Sequence, residues 1–188
     1  IPVNLIKDEN GEALIIKVEY PGREVHAQIW EAHIGKVELY LLDTNIDQNS
    51  PHDRTITDSL YGGDHELRVK QELMLGVGGV RALKAMKKNI TVYHMNEGHA
   101  AFLALERMHI AMKEQNLSFE EAHEYITANN VFTTHTPVPA GNDRFDPSLI
   151  DTYCSHYYDK LKLSRDRFLA LGRENPQDKS ETFCMTVL

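Results

Sequence analysis

Two short stretches carry the side chains best suited to chemistry: His94-Met-Asn-Glu-Gly-His99, and Thr133-Thr-His-Thr-Pro137. His94, His99 and His135 raise the question of a metal. However, neither a His-Glu-x-x-His helix nor a cysteine pair accompanies them, and His94 and His99 are poorly spaced for helical chelation. No metal is expected. Nucleophilic catalysis lacks a Gly-x-Ser-x-Gly elbow, and neither Cys154 nor Cys184 has a local activator. No phosphate-cradling glycine loop follows a strand, since Gly76-Val-Gly-Gly79 falls inside a helical pattern and reads as close packing. What remains is a polar corner able to position a ligand. Taken singly, Asn96 could cap a helix, Glu97 could answer the helix dipole, and His99 could bond backbone. Taken with Thr134, His135 and Thr136 at one sheet edge, they read as functional.

The elements around them supply that edge. Ile90-Thr-Val-Tyr93 reads as a buried strand, and residues 100–112 repeat apolar side chains at helical spacing. Ser118 with Glu121 forms a capping box for a helix to about Ala128, and residues 130–134 read as a second buried strand. Successive strand–helix units imply parallel strands with right-handed crossovers, and ligands collect beyond the carboxyl ends of such strands. Asn96, Glu97, His99 and His135 should therefore converge.

Upstream, residues 13–20, 25–33 and 37–42 read as an antiparallel meander joined by tight turns. The last of these is the most continuous apolar run and is expected to be the more central strand. Residues 43–63 are polar, either a surface excursion or a functional loop. Residues 64–88 form the longest helical pattern, with Asp64 as N-cap. There Arg68 could face an anionic ligand or pair with Glu72 four residues on. Asp146-Pro147 opens a further helix, another runs from about Ser164 to Leu171, and residues 173–181 read as loop. The expected fold is α/β, a single partial domain of residues 1–188. It divides into a β-rich meander (1–45), a loop (46–63) and an α/β portion (64–188).

Composition sets outer limits. The chain has 188 residues, 41% hydrophobic and 26% charged, with net charge −8. That balance argues against a nucleic-acid partner. No apolar run approaches a membrane span, so no membrane partner is expected. Two cysteines make no disulfide framework and fit a reducing cytoplasm. The opening Ile1-Pro-Val3 and the apolar closing run from Phe183 to Leu188 suggest a piece of a longer protein, truncated at both ends.

At residues 61–72, 94–102 and 132–141 the sequence resembles the successive motifs of α-glucan (glycogen and maltodextrin) phosphorylases, most of all their shorter bacterial and archaeal branch. The likeness extends over nearly the whole chain. It implies part of the N-terminal half of a glycosyltransferase B-type fold, with a Rossmann-like parallel sheet after the meander. It implies cleavage of α-1,4-glucan or maltodextrin with inorganic phosphate to release glucose 1-phosphate. By the same resemblance His135, Asn96, Glu97, His99 and Thr136 bind substrate, with Glu97 standing where the longer enzymes have Asp. Glu66, Arg68 and Lys70 lie on the helix after the gate loop over the cleft, and residues 45–63 supply that loop. Residues 171–175 and 183–188 resemble the lead-in to a helix that continues. Such enzymes use pyridoxal phosphate, but its Schiff-base lysine belongs to the C-terminal half. These residues alone should bind no cofactor and be inactive, and a homo-oligomer is compatible with the resemblance. Two other readings stand beside it: a glucan synthase-type glycosyltransferase of the same fold, and a non-catalytic carbohydrate-binding domain.

Overall fold

The computed structural model describes residues 2–59, 63–136, 138 and 142–188. Tyr61, Gly62, Pro137, Pro139, Ala140 and Gly141, which belong to the motifs above, lie outside the described residues. The chain is mixed α/β and separates into two compact units, Ile1–Met74 with Gly78–Lys88, and Leu75–Val77 with Asn89–Leu188.

The first unit is built on an antiparallel sheet. Its strands are β1 (Val3–Leu5), β2 (Ile15–Tyr20), β3 (Arg23–Ile34) and β4 (Val37–Asp43). The long β3 pairs with all three others. Gly22 and Gly35, both at positive φ, close the two hairpins. Alternation in β2 and β3 aligns Ile16 with Ala27 and Val18 with Val25, and these four side chains are buried. The continuous apolar run is not central. β4 pairs only with β3, and Val37, Leu39 and Leu41 are exposed. The alternating β3 is central because its length lets it pair along both edges.

Residues 64–88 are not one α-helix. α1 (His65–Leu73) begins at Asp64, whose side chain accepts the Leu67 N–H, and a π-helical turn (Met74–Gly78) separates it from α2 (Gly79–Ala85). Residues 64–74 and 78–88, grouped with the α/β portion in the sequence, lie in the first unit. The polar stretch after β4 is fastened rather than loose. The buried Asn49 amide donates to the His26 and Thr44 carbonyls at 2.7 Å each and accepts the His26 N–H at 2.9 Å. Arg23 grips Asp53 with two nitrogens, and Gln71 of α1 donates to the Ile56 and Ser59 carbonyls.

In the second unit, β5 (Tyr93–Asn96) and β6 (Asn130–Thr133) pair in parallel. Between them run a 3-10 turn (Gly98–Ala100), α3 (Leu103–Gln115) and α4 (Phe119–Thr127). The Ser118–Glu121 capping box forms with both bonds in place. Residues 103–108 of α3 are all buried, so this helix is enclosed on every face. Neither strand is buried as expected: β5 starts only at Tyr93, and Val92, Val131 and Phe132 are exposed. Further on come β7 (Arg144–Phe145), α5 (Pro147–Cys154), α6 (His156–Leu161) and α7 (Arg165–Ala170). The stretch expected to lead into a helix contains β8 (Phe183–Cys184), antiparallel to β7. Phe183 stacks at 6.5 Å from Phe102 and 6.1 Å from Phe168, so its burial, about 1.5–3 kcal/mol for such a side chain, outweighs any local helical preference. Among the described residues no helix is long and apolar enough to cross a membrane.

Candidate functional site

The parallel register aligns Tyr93 with Asn130 and Asn96 with Thr133, so both strands end at the same level. Asn96 is the exposed last residue of β5, a strand position and not a helix cap. Glu97 follows with φ 63° and ψ −177°. That conformation is rare outside glycine, and in a non-glycine residue it must be held by its surroundings. Its N–H bonds the Thr133 carbonyl at 2.9 Å, and its carboxylate, 7% exposed, turns toward the segment after β6. There Oε1 accepts the His135 N–H, the Thr136 N–H at 2.9 Å and the Thr136 hydroxyl at 3.2 Å, while Oε2 accepts the Thr134 hydroxyl at 3.2 Å. These bonds, the His135 N–H foremost, hold the Glu97 carboxyl below the usual glutamate range and keep it ionised.

Glu97 therefore acts on protein rather than facing outward. It staples three consecutive residues after β6 to the end of β5. His94 lies one strand position back, its Nε2 2.6 Å from the Thr133 hydroxyl. His99 does not bond backbone as one reading had it; Nδ1 lies 3.2 Å from Asp143 Oδ2. Gly98 is held against the turn after β8, where an added Cβ would sit 3.0 Å from Met185 Cβ and 3.1 Å from Thr186 N.

One supporting residue escaped the sequence pattern. Arg107 of α3 is 8% exposed, bonds the side chains of Asn129 and Asn130, and lies 3.9 Å over the Tyr93 ring. It ties the starts of β5 and β6 together, so their ends stay in register. Burial pushes its guanidinium below the usual arginine range, though far from neutrality. The signal was a charge inside an otherwise apolar helical run. Asp143 had no such signal, being one polar residue in a polar loop.

Glu66, Arg68 and Lys70 lie on α1 in the first unit. Arg68 pairs with Glu72 at 3.2 Å and Lys70 with Glu66 at 2.9 Å, so their charges are engaged along the helix. Lys70 is the buried lysine among the described residues, and its Nζ also lies 3.5 Å from His52. An amine so engaged does not fit as the anchor of an aldehyde cofactor. The described residues thus make no seat for pyridoxal phosphate. At the sheet edge, an amide, hydroxyls, imidazoles and backbone groups are presented by a stapled scaffold whose carboxylate is already consumed. Such a set suits a neutral, hydroxyl-rich ligand.

No family model matches the chain. Individual proteins do. Over all 188 residues it is 42% identical to maltodextrin phosphorylase of Thermococcus litoralis, spanning 22% of that protein. It is 41% identical across 95% of its length to glycogen phosphorylase of Mycobacterium tuberculosis, again spanning 22%. Glycogen phosphorylase of Aquifex aeolicus is 32% identical over the whole chain, which spans 27% of it. The chain thus spans about a quarter of the length of these relatives or less.

Proposed function

We propose that this chain, homologous along its whole length to glycogen and maltodextrin phosphorylases, is part of the N-terminal half of an α-glucan phosphorylase. The complete protein would cleave α-1,4-glucan with inorganic phosphate and release glucose 1-phosphate. The observation that carries this reading is the 42% identity over all 188 residues. The stapled corner supports it, since Asn96, His99, His135 and Thr136 gather donors and acceptors suited to sugar hydroxyls. Glu97 is assigned the task of holding His135 and Thr136 in place, not of touching glucan. A location of Glu66, Arg68 and Lys70 beside the cleft rests on the relatives alone.

The wider fold is part of the same proposal. Parallel sheets are normally covered on both faces and contain more than two strands. Here β5 and β6 pair only with each other among the described residues, and Val131 and Phe132 are exposed. This supports their being two strands of a larger Rossmann-like sheet in a glycosyltransferase B-type enzyme. The complete polypeptide bearing these residues, supplied with pyridoxal phosphate, is expected to release glucose 1-phosphate from maltoheptaose and phosphate. The 188 residues alone should not. No release by the complete protein, or glucan extension from a sugar nucleotide instead, would refute the assignment.

A further inference from the structure

We propose that Asp143 is the positioning residue of His99, holding the neutral imidazole with its proton on Nδ1 and Nε2 as the acceptor for a sugar hydroxyl. Only the sugar part rests on the phosphorylase reading. The two side chains meet at 3.2 Å, each about a quarter exposed (27% and 26%). A carboxylate facing Nδ1 selects the tautomer that donates there, because the other would set a lone pair against a negative charge. Both partners are anchored to one short segment. The Asp143 carbonyl accepts the Met185 N–H at 2.9 Å, and Arg144 beside it pairs with Cys184 in the β7–β8 ladder. Gly98, next to His99, is seated on Met185 and Thr186 so closely that no side chain fits. The imidazole and its carboxylate are therefore fixed by the same strand end, and their spacing does not depend on loop motion.

The corner thereby assigns each histidine its own carboxylate. Glu97 holds the His135 backbone, and Asp143 holds the His99 ring. They act on different parts of their histidines, so they have separable signatures.

The test uses the chain with ¹⁵N-labelled histidine in a long-range ¹H–¹⁵N spectrum at a pH where imidazoles are neutral, with His99→Gln locating the signals. His99 is expected to carry its proton on Nδ1 in the wild type and to become a tautomer mixture in Asp143→Ala. Asp143→Glu should restore much of the wild-type pattern. If Asp143→Ala does not fold, Asp143→Asn, which keeps the shape and weakens the acceptor, is read in the same way. A wild-type proton on Nε2, or an unchanged pattern in the variant, overturns the positioning role. In the complete, cofactor-loaded protein, Asp143→Ala should lower kcat/KM for maltodextrin by about tenfold, mainly through KM, and an unchanged value would sink the sugar contact. A complete protein that makes no glucose 1-phosphate refutes the phosphorylase reading instead, leaving the positioning role to the spectrum.

Discussion

Three glycines in a run of four, each replaced by alanine, should give three different outcomes. At Gly76 a new Cβ would lie 2.8 Å from Leu103 N and 3.0 Å from both Ala100 O and Phe102 Cβ. Two of those atoms are backbone at the entry to α3, directly after His99, and cannot rotate away. Overpacking of this kind costs about 1–3 kcal/mol, against about 1 kcal/mol gained when alanine replaces glycine in a helix. Because rigid atoms oppose the methyl, the upper part of that range applies, and Gly76→Ala should lose about 1–2 kcal/mol. At Gly79 nothing lies within 4 Å, so the full gain of about 1 kcal/mol should appear. Gly78 lies between: its nearest neighbours, Met74 Sδ at 3.1 Å and the Leu42 Cδ1 methyl at 3.2 Å, are flexible side-chain ends, and the change should be near neutral. Urea titration and thermal unfolding followed by circular dichroism would rank the variants. At about 2–4 °C per kcal/mol for a chain this size, Gly79→Ala and Gly76→Ala should melt several degrees apart on either side of the wild type. The packing logic fails if Gly76→Ala is as stable as Gly79→Ala.

Further consequences follow from the same geometry. Glu97→Gln puts a donor where Oε1 and Oε2 accept four bonds, so amide hydrogen exchange at His135 and Thr136 should quicken at least tenfold by about 1.4 kcal/mol per decade, while Glu66→Gln leaves those amides unchanged. Equal exchange in the two variants would remove the staple. Tyr157→Phe deletes the 2.5 Å bond to the buried Glu106 carboxylate and should cost about 1–3 kcal/mol in denaturant unfolding, whereas exposed Tyr125→Phe should cost almost nothing. Burial holds the His109 imidazole below its ordinary value of 6.5, so below that pH the unfolded chain takes up a proton that the folded form resists. Stability from this residue is present above pH 6.5 and is lost as pH falls below it toward the depressed folded value. His109→Gln should flatten that part of the stability–pH curve, and an unchanged slope would exclude the residue as its source.

How much was legible in the residues depends on the range over which each feature is set. The Ser118–Glu121 box, the Asp64 and Asp146 caps and the Arg68–Glu72 pair were readable because each is decided within four residues. Parallel pairing of β5 with β6 followed from the order of strands and helices, and with it the arrival of Asn96 and His135 at one sheet edge. By contrast, strand order in the meander was misread, since a continuous apolar run looks the same on an edge as in a centre. The π turn within residues 64–88 was invisible too, because the backbone that Gly76 must meet comes from residues 100–103. The same limit applies to chemistry. Sequence by itself determined which residue types stand at the corner, but not what they face. Only the tertiary structure turned Glu97 inward onto residues 134–136, set Asp143 beside His99, and placed Arg107 under Tyr93. Those contacts join residues 14 to 44 positions apart, where direction depends on backbone torsion and packing rather than on neighbouring residue types.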